Sequence, residues 1–178
     1  MRPNYLIFMI ALLGQSLALN GCATYSNTED SEIHQPKAEQ HWSGRVYIAE
    51  DMGTVLGDGN VHFTVLRNEE DFATFVKRIP TKNIQRRLPA PPSSDPFVQG
   101  LKVDFSKHML LVSFRTDNMY IKAPITGLHR HDGKLTAHIE VPPIGETAMM
   151  ASQLDIGTYY ALLVPQSPGT ITPAIGAH

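Results

Sequence analysis

Apolar and polar residues alternate along Arg45-Val-Tyr-Ile-Ala49 and again along Val61-His-Phe-Thr-Val-Leu66, the period of two expected of half-buried strands. In the second run Val61, Phe63 and Val65 share one face. Gly57-Asp-Gly-Asn60 lies between the two runs, and its Asp-Gly pair predicts a hairpin turn. The period then changes. From Asn68 to Pro80 the apolar residues Phe72, Phe75, Val76 and Ile79 follow i, i+3, i+4, i+7, which places them on one stripe of a helix over 69–79. Asn68 is placed to cap that helix, and Glu69, Glu70 and Asp71 sit where the helix dipole favours carboxylates. Lys77 and Arg78 complement the other end, and Pro80 stops it.

Residues 80–100 form a long Pro-rich connection, and order returns as sheet. Val103-Asp-Phe105 is a short apolar start with a kink at Ser106-Lys107, and Met109-Leu-Leu-Val-Ser-Phe114 is dense enough for a strand buried on both faces. Tyr120 to Arg130 and Lys134 to Val141 flank Asp132-Gly133, a second two-residue hairpin candidate. Leu135, Ala137, Ile139 and Val141 alternate with Lys134, Thr136, His138 and Glu140, so one face of that strand is wet. Thr158-Tyr-Tyr-Ala-Leu-Leu-Val164 makes a last strand, and Thr170-Ile-Thr172 offers an edge within a Gly/Pro-rich tail over 166–178. The pattern predicts an α+β domain over 42–165, a single domain of mostly antiparallel β-sheet with one clear amphipathic helix.

The start of the chain has a different character. Tyr5 to Leu19 is an apolar stretch broken by Gly14-Gln15-Ser16 and preceded by Arg2, too short and interrupted for a permanent span of about 20 residues. It fits a signal peptide over 1–21. Leu19-Asn20-Gly21-Cys22 resembles the lipobox of bacterial lipoproteins, which implies that the one cysteine of the chain is acylated and becomes the new N-terminus. Lipidation would also consume a thiol that has no second cysteine to pair with. Two or more acyl chains anchor stably, at about 0.8 kcal/mol per buried methylene. In that class Ala23 after the cysteine matches onward sorting to the outer membrane. Residues 22–41 are then the lipidated N-terminus and a polar tether, which cannot bury enough apolar surface to offset its ordering entropy.

Composition narrows the function more than it identifies it. The 178 residues contain 42 % hydrophobic and 18 % charged side chains, enough for one sizeable core. Loss of residues 1–21 removes only Arg2 from 15 basic residues, leaving 14 against 17 acidic and a net charge of −3. Neither nucleic acid nor an anionic membrane surface is favoured as a partner by that balance. No His-Glu-x-x-His, P-loop, dinucleotide fingerprint or Gly-x-Ser-x-Gly elbow occurs. No catalytic residue, metal ligand, cofactor or small-molecule substrate is therefore assigned. The densest constellation is histidine. With Asp132-Gly133 as the turn, His131 pairs with Lys134, His129 with Thr136 and Gly127 with His138, so His129, His131 and His138 share one face. A metal-binding protein or hydrolase using that face is the alternative reading. Ser106 and His108 form a lesser candidate pair.

One resemblance bears on function. From Val61 to about Gln166 the chain resembles the PrcB-like family, protease-complex subunits among bacterial lipoproteins. The match runs through Phe63-Thr-Val-Leu66, the acidic-started helix with Phe72 and Phe75, and Val103-Asp-Phe-Ser-Lys-His-Met-Leu-Leu-Val-Ser113. It continues through Glu140-Val-Pro-Pro-Ile-Gly145 and Tyr159-Tyr-Ala-Leu-Leu-Val-Pro165. The chain departs from it at Thr116-Asp-Asn-Met-Tyr120, where the family often has Thr-Gly-Gly-Tyr. The resemblance implies a non-catalytic accessory domain that associates with and stabilises a secreted or surface protease, with no catalytic residues to carry over. The expectation is a lipid-anchored binding module at the bacterial outer membrane, its domain in the periplasm or at the cell surface. Its partner contacts are expected from a sheet edge or from loops at 80–100, 115–119 and 142–156, through Arg86, Arg87, Pro89, Asn118, Tyr120, Met149 and Met150.

Overall fold

The computed structural model describes residues 41–84, 88–143 and 155–176, all within one compact unit. The elements are β1 (His41–Tyr47), β2 (Thr54–Leu56), β3 (Val61–Leu66), α1 (Glu69–Val76), β4 (His108–Arg115), β5 (Ile125–His131), β6 (Lys134–Ile139), β7 (Ile156–Pro165) and β8 (Ile171–Ile175). They build a five-stranded sheet of order β1-β7-β4-β3-β2 and a three-stranded sheet of order β5-β6-β8. Every pair is antiparallel except β6–β8, which is parallel. The expected α+β class, mostly antiparallel sheet with a single helix, is the architecture observed.

The larger sheet has an apolar core on each face. Leu110, Val112 and Phe114 of β4 and Tyr159 and Ala161 of β7 face α1, joining Phe72, Phe75, Ile79 and Phe97. Met109 and Leu111 of β4 and Leu162 and Val164 of β7 face the smaller sheet, joining Ile125, Leu128, Ala137, Ile139 and Ile171. The period of two thus feeds both cores from the same two strands, and Met109 through Val112 are all fully buried. Burial of each such side chain contributes roughly 1.5–3 kcal/mol.

Helix α1 starts as its sequence dictates. The Asn68 side chain accepts from the Asp71 N–H at 2.9 Å, and three acidic residues fill the first turn. It ends at Val76, short of the expected 79. Beyond it Arg78 and Ile79 donate to Phe75 and Val76, a tighter i to i−3 winding. The Arg78 carbonyl accepts from the Tyr47 N–H at 2.9 Å, and its guanidinium meets Asp51 at 2.6 Å, so the chain is drawn off towards the end of β1. Ile79 stays buried.

Three other expectations are revised by the topology. The Gly57–Asn60 turn closes β3 on the short β2, with Leu56 opposite Val61, while β1 lies at the far edge of the sheet. Residues 120–124 form a connection instead of the first part of a strand, so β5 begins at Ile125. In the segment expected as a tail, Ile171–Ile175 supplies β8, placing Ile171 in the second core. Pro173 is accepted there because β8 is an edge strand. The Asp132-Gly133 turn is as expected: both residues have positive φ, 48° and 73°, the requirement of a type I′ turn.

Candidate functional site

β1 occupies one edge of the large sheet, and its ladder defines which backbone groups face outward. The Ile48 N–H donates to Asp155 across the sheet, whereas the Tyr47 N–H points the other way, to Arg78. Because the direction alternates along an antiparallel strand, Trp42, Gly44 and Val46 bond to β7. His41, Ser43 and Arg45 direct their N–H and C=O groups outward. The Tyr47 end of this edge is therefore covered. The Ser43–Arg45 stretch borders an open groove of about 400 Å³, completed by Ile79, Pro80 and Lys82 on one side and Ser93–Pro96 on the other.

The Pro-rich connection is held against this edge by its own core contacts. Phe97 is buried, with ring centroids 5.4 Å from Trp42, 5.5 Å from Phe72, 5.7 Å from Phe75 and 5.9 Å from Tyr159. Asp95 accepts from the Tyr159 O–H at 2.6 Å and from the Phe97 N–H at 3.0 Å. Burial first, and the Asp95 carboxylate second, push the Tyr159 phenol far above its ordinary range, so it stays a donor. Gly44 makes the approach possible, since a Cβ there would overlap the Asp95 carboxylate and lie 2.7 Å from the Tyr159 ring. Lys82 and Pro92 form a short antiparallel bridge that closes the segment on itself.

Arg45 ties a second loop to the same place. Its guanidinium donates to the Ile84 carbonyl at 2.9 Å and lies 5.4 Å from the centroid of the Tyr120 ring. Tyr120 is 62 % exposed. Leu88 and Pro89 are also exposed. Of the residues expected to contact a partner, Tyr120 and Pro89 are thus at the surface, and Tyr120 adjoins the β1 edge. Asn118 is not available for such contact: it is buried, and its Oδ1 accepts from the Tyr120 and Ile121 N–H groups at 2.7 and 2.9 Å. An Asx-type turn replaces the glycines that the resemblance would place here, with no left-handed residue between 116 and 119. Arg86, Arg87, Met149, Met150 and Cys22 lie outside the described residues.

The histidine face forms in the expected register, with His131 opposite Lys134, His129 opposite Thr136 and Gly127 opposite His138. The His129 and His138 rings are 4.4 Å apart at 60°. His131 sits by Asp132 at the turn instead, and among the described residues no three His, Cys, Asp or Glu side chains converge on a metal-sized site. Burial, and then the neighbouring His129, hold the His138 imidazole below the ordinary histidine value. The folded chain resists protonation more than the unfolded one does. This contribution to stability is therefore complete above the ordinary histidine value of 6.5 and is lost as pH falls through the lowered folded value. His138→Gln is expected to flatten the decline in urea midpoint between about pH 7 and pH 5. An unchanged decline would place the acid sensitivity elsewhere.

Ser106 and His108 do not form a pair. The Ser106 hydroxyl and N–H both donate to Asp104 Oδ1, holding that carboxyl below its usual range, and the His108 N–H donates to the Asp104 carbonyl at 2.9 Å. Val103-Asp-Phe-Ser-Lys is thus a turn that launches β4. No family model, curated protein or solved structure matches the chain. No helix among the described residues is long and apolar enough to cross a membrane.

Sequence reasoning missed Ser43, Arg45 and Lys82. Their meeting depends on β1 being an edge, and β1 is an edge because it pairs with a strand more than a hundred residues away.

Proposed function

We propose that this chain is a lipid-anchored, non-catalytic accessory module of the bacterial outer membrane. Anchored through Cys22, it holds its domain in the periplasm or at the cell surface, where it associates with and stabilises an envelope or secreted protein. The PrcB-like resemblance nominates a protease as that partner. The observation that carries this reading is the convergence at β1: Arg45 links the exposed Tyr120 to the Pro-rich segment beside an open strand edge. Aromatic and arginine side chains are the usual anchors of a protein interface. Tight internal bonding of Asp95, Asp104 and Asn118 supports the same view, since these polar groups hold loops in shape.

The test is made in native membranes. Cys22→Ser is expected to move the chain from the membrane pellet to the soluble fraction, because the folded body has no need of its own to bind lipid. Chemical cross-linking of the wild-type chain is expected to recover one protein partner in stoichiometric amount. Sedimentation of the serine variant with membranes, unmodified and uncleaved, would remove the anchor from the reading. Absence of any cross-linked partner would remove the module. The alternative, a metal-dependent function of the His129–His138 pair, would be favoured by metal that survives dialysis and is released by His129→Ala.

A further inference from the structure

We infer that the outer edge of β1 accepts an acidic, extended segment of the partner protein as an added sixth strand. This rests on the reading of the domain as a protein-binding module and specifies how it binds. The first observation is the ladder. Outward N–H and C=O groups of Ser43 and Arg45 have no hydrogen-bond partner among the described residues, whereas the same edge at Tyr47 is already closed by Arg78. An incoming strand would bond these groups as β7 bonds the other side, with alternate side chains directed to the two faces.

The second observation is charge. Among the described residues Arg78 and Arg115 have carboxylate partners, Asp51 at 2.6 Å and Asp117 at 2.7 Å. Arg45 has a neutral carbonyl and an aromatic face and forms no ion pair there. Lys82, exposed on the groove wall, forms none either. Asp95, the one carboxylate among the described residues lining the groove, already accepts from Tyr159 and Phe97. A positively charged rim beside an unpaired strand edge selects a segment carrying glutamate or aspartate, with a carboxylate placed opposite Arg45 and Tyr120 flanking it. A neutral or basic segment would form the same backbone bonds and lose the charge match.

The full chain would be titrated with a labelled, acetylated Thr-Glu-Val-Glu-Val-Glu-Val-Thr amide up to millimolar concentration and followed by fluorescence polarisation. Strand addition predicts that N-methylation of alternate peptide residues in one phase abolishes binding, while methylation in the other phase is tolerated. Exchange of the glutamates for lysine, or Arg45→Glu in the chain, is expected to weaken binding at least about tenfold. Ser43→Pro removes one outward N–H and leaves the β7 ladder intact, as proline permits on the open side of an edge strand. It too is expected to abolish binding with the thermal midpoint near that of the parent. The N-methylated peptides keep the test decisive if that variant fails to fold.

Equal affinity of both methylated phases overturns the inference. So does absence of binding by the parent peptide, and so does slow exchange of the Ser43 and Arg45 amides in the free chain, which would mean that the edge is taken by the chain itself or by a second copy. If Ser43→Pro still cross-links the partner in membranes, the β1 edge is excluded and the module reading stands. If the wild-type chain cross-links nothing, the module reading fails independently of the peptide result.

Discussion

Phe97→Ala is expected to destabilise the domain by about 3–5 kcal/mol, the range for removing a buried phenylalanine ring. Phe97 is 3 % exposed and touches the rings of Trp42, Phe72, Phe75 and Tyr159, so it joins β1, α1 and β7 through one side chain. The cavity would be walled by a helix and a sheet that cannot collapse on it without giving up their own packing. Small domains have only about 5–15 kcal/mol in total, so the urea midpoint should fall steeply. Without the ring to pin it, the segment that carries Asp95 should also loosen, and with it the wall of the groove. Phe97→Leu, which keeps most of the volume, is expected to cost well under half as much. A loss below about 1 kcal/mol for the alanine variant would show that the Pro-rich segment is not part of the core. Parallel loss of peptide binding at the β1 edge, at temperatures where the variant is still folded, would tie that core contact to the site.

That segment marks the boundary of what the pattern alone conveys. The helix stripe of Phe72, Phe75 and Ile79, the alternation of β3 and β6, and the double burial of β4 are local properties of the chain, and each has the face expected of it. The His129–Thr136 register follows from a two-residue turn, again a local cause. Phe97 stands between Pro96 and Val98 in a stretch with no period, so nothing nearby announces that it fills the centre of the first core. The same limit applies to the site. Tyr120 was legible as a partner contact next to the 115–119 loop, whereas Arg45 acquired meaning only when β7 arrived on one side of β1 and no described strand on the other. Asn118 shows the opposite case. A polar residue in a turn reads as surface, yet two backbone N–H groups need its oxygen, and satisfying them draws the side chain inward.

The turn that Asn118 organises depends on a charge, and its loss gives the second large effect. Arg115 is 3 % exposed; it meets Asp117 at 2.7 Å through Nε, and its Nη1 donates to the Pro142 carbonyl. Burying a guanidinium is tolerable because the carboxylate and the carbonyl together replace its water. Arg115→Met keeps an unbranched side chain in the space but leaves Asp117, whose side chain is 20 % exposed, without its cationic partner. The expected loss is about 3–5 kcal/mol, the usual cost of breaking a buried pair from one side. Most of that cost belongs to the orphaned carboxylate, so the sign of a second substitution separates the causes. Arg115→Met combined with Asp117→Leu is expected to recover about 1–4 kcal/mol relative to Arg115→Met alone. A double variant no more stable than the single one would mean that Arg115 acts through the Pro142 carbonyl instead, holding the β6 exit against the end of β4. Peptide affinity at the β1 edge provides the functional readout, because Thr158, opposite Arg115 on β7, donates to the Ile121 carbonyl at 2.9 Å beside the Asn118 turn that presents Tyr120. The charge pair therefore reaches the site through two hydrogen bonds and one turn, and the double variant should restore stability before it restores affinity.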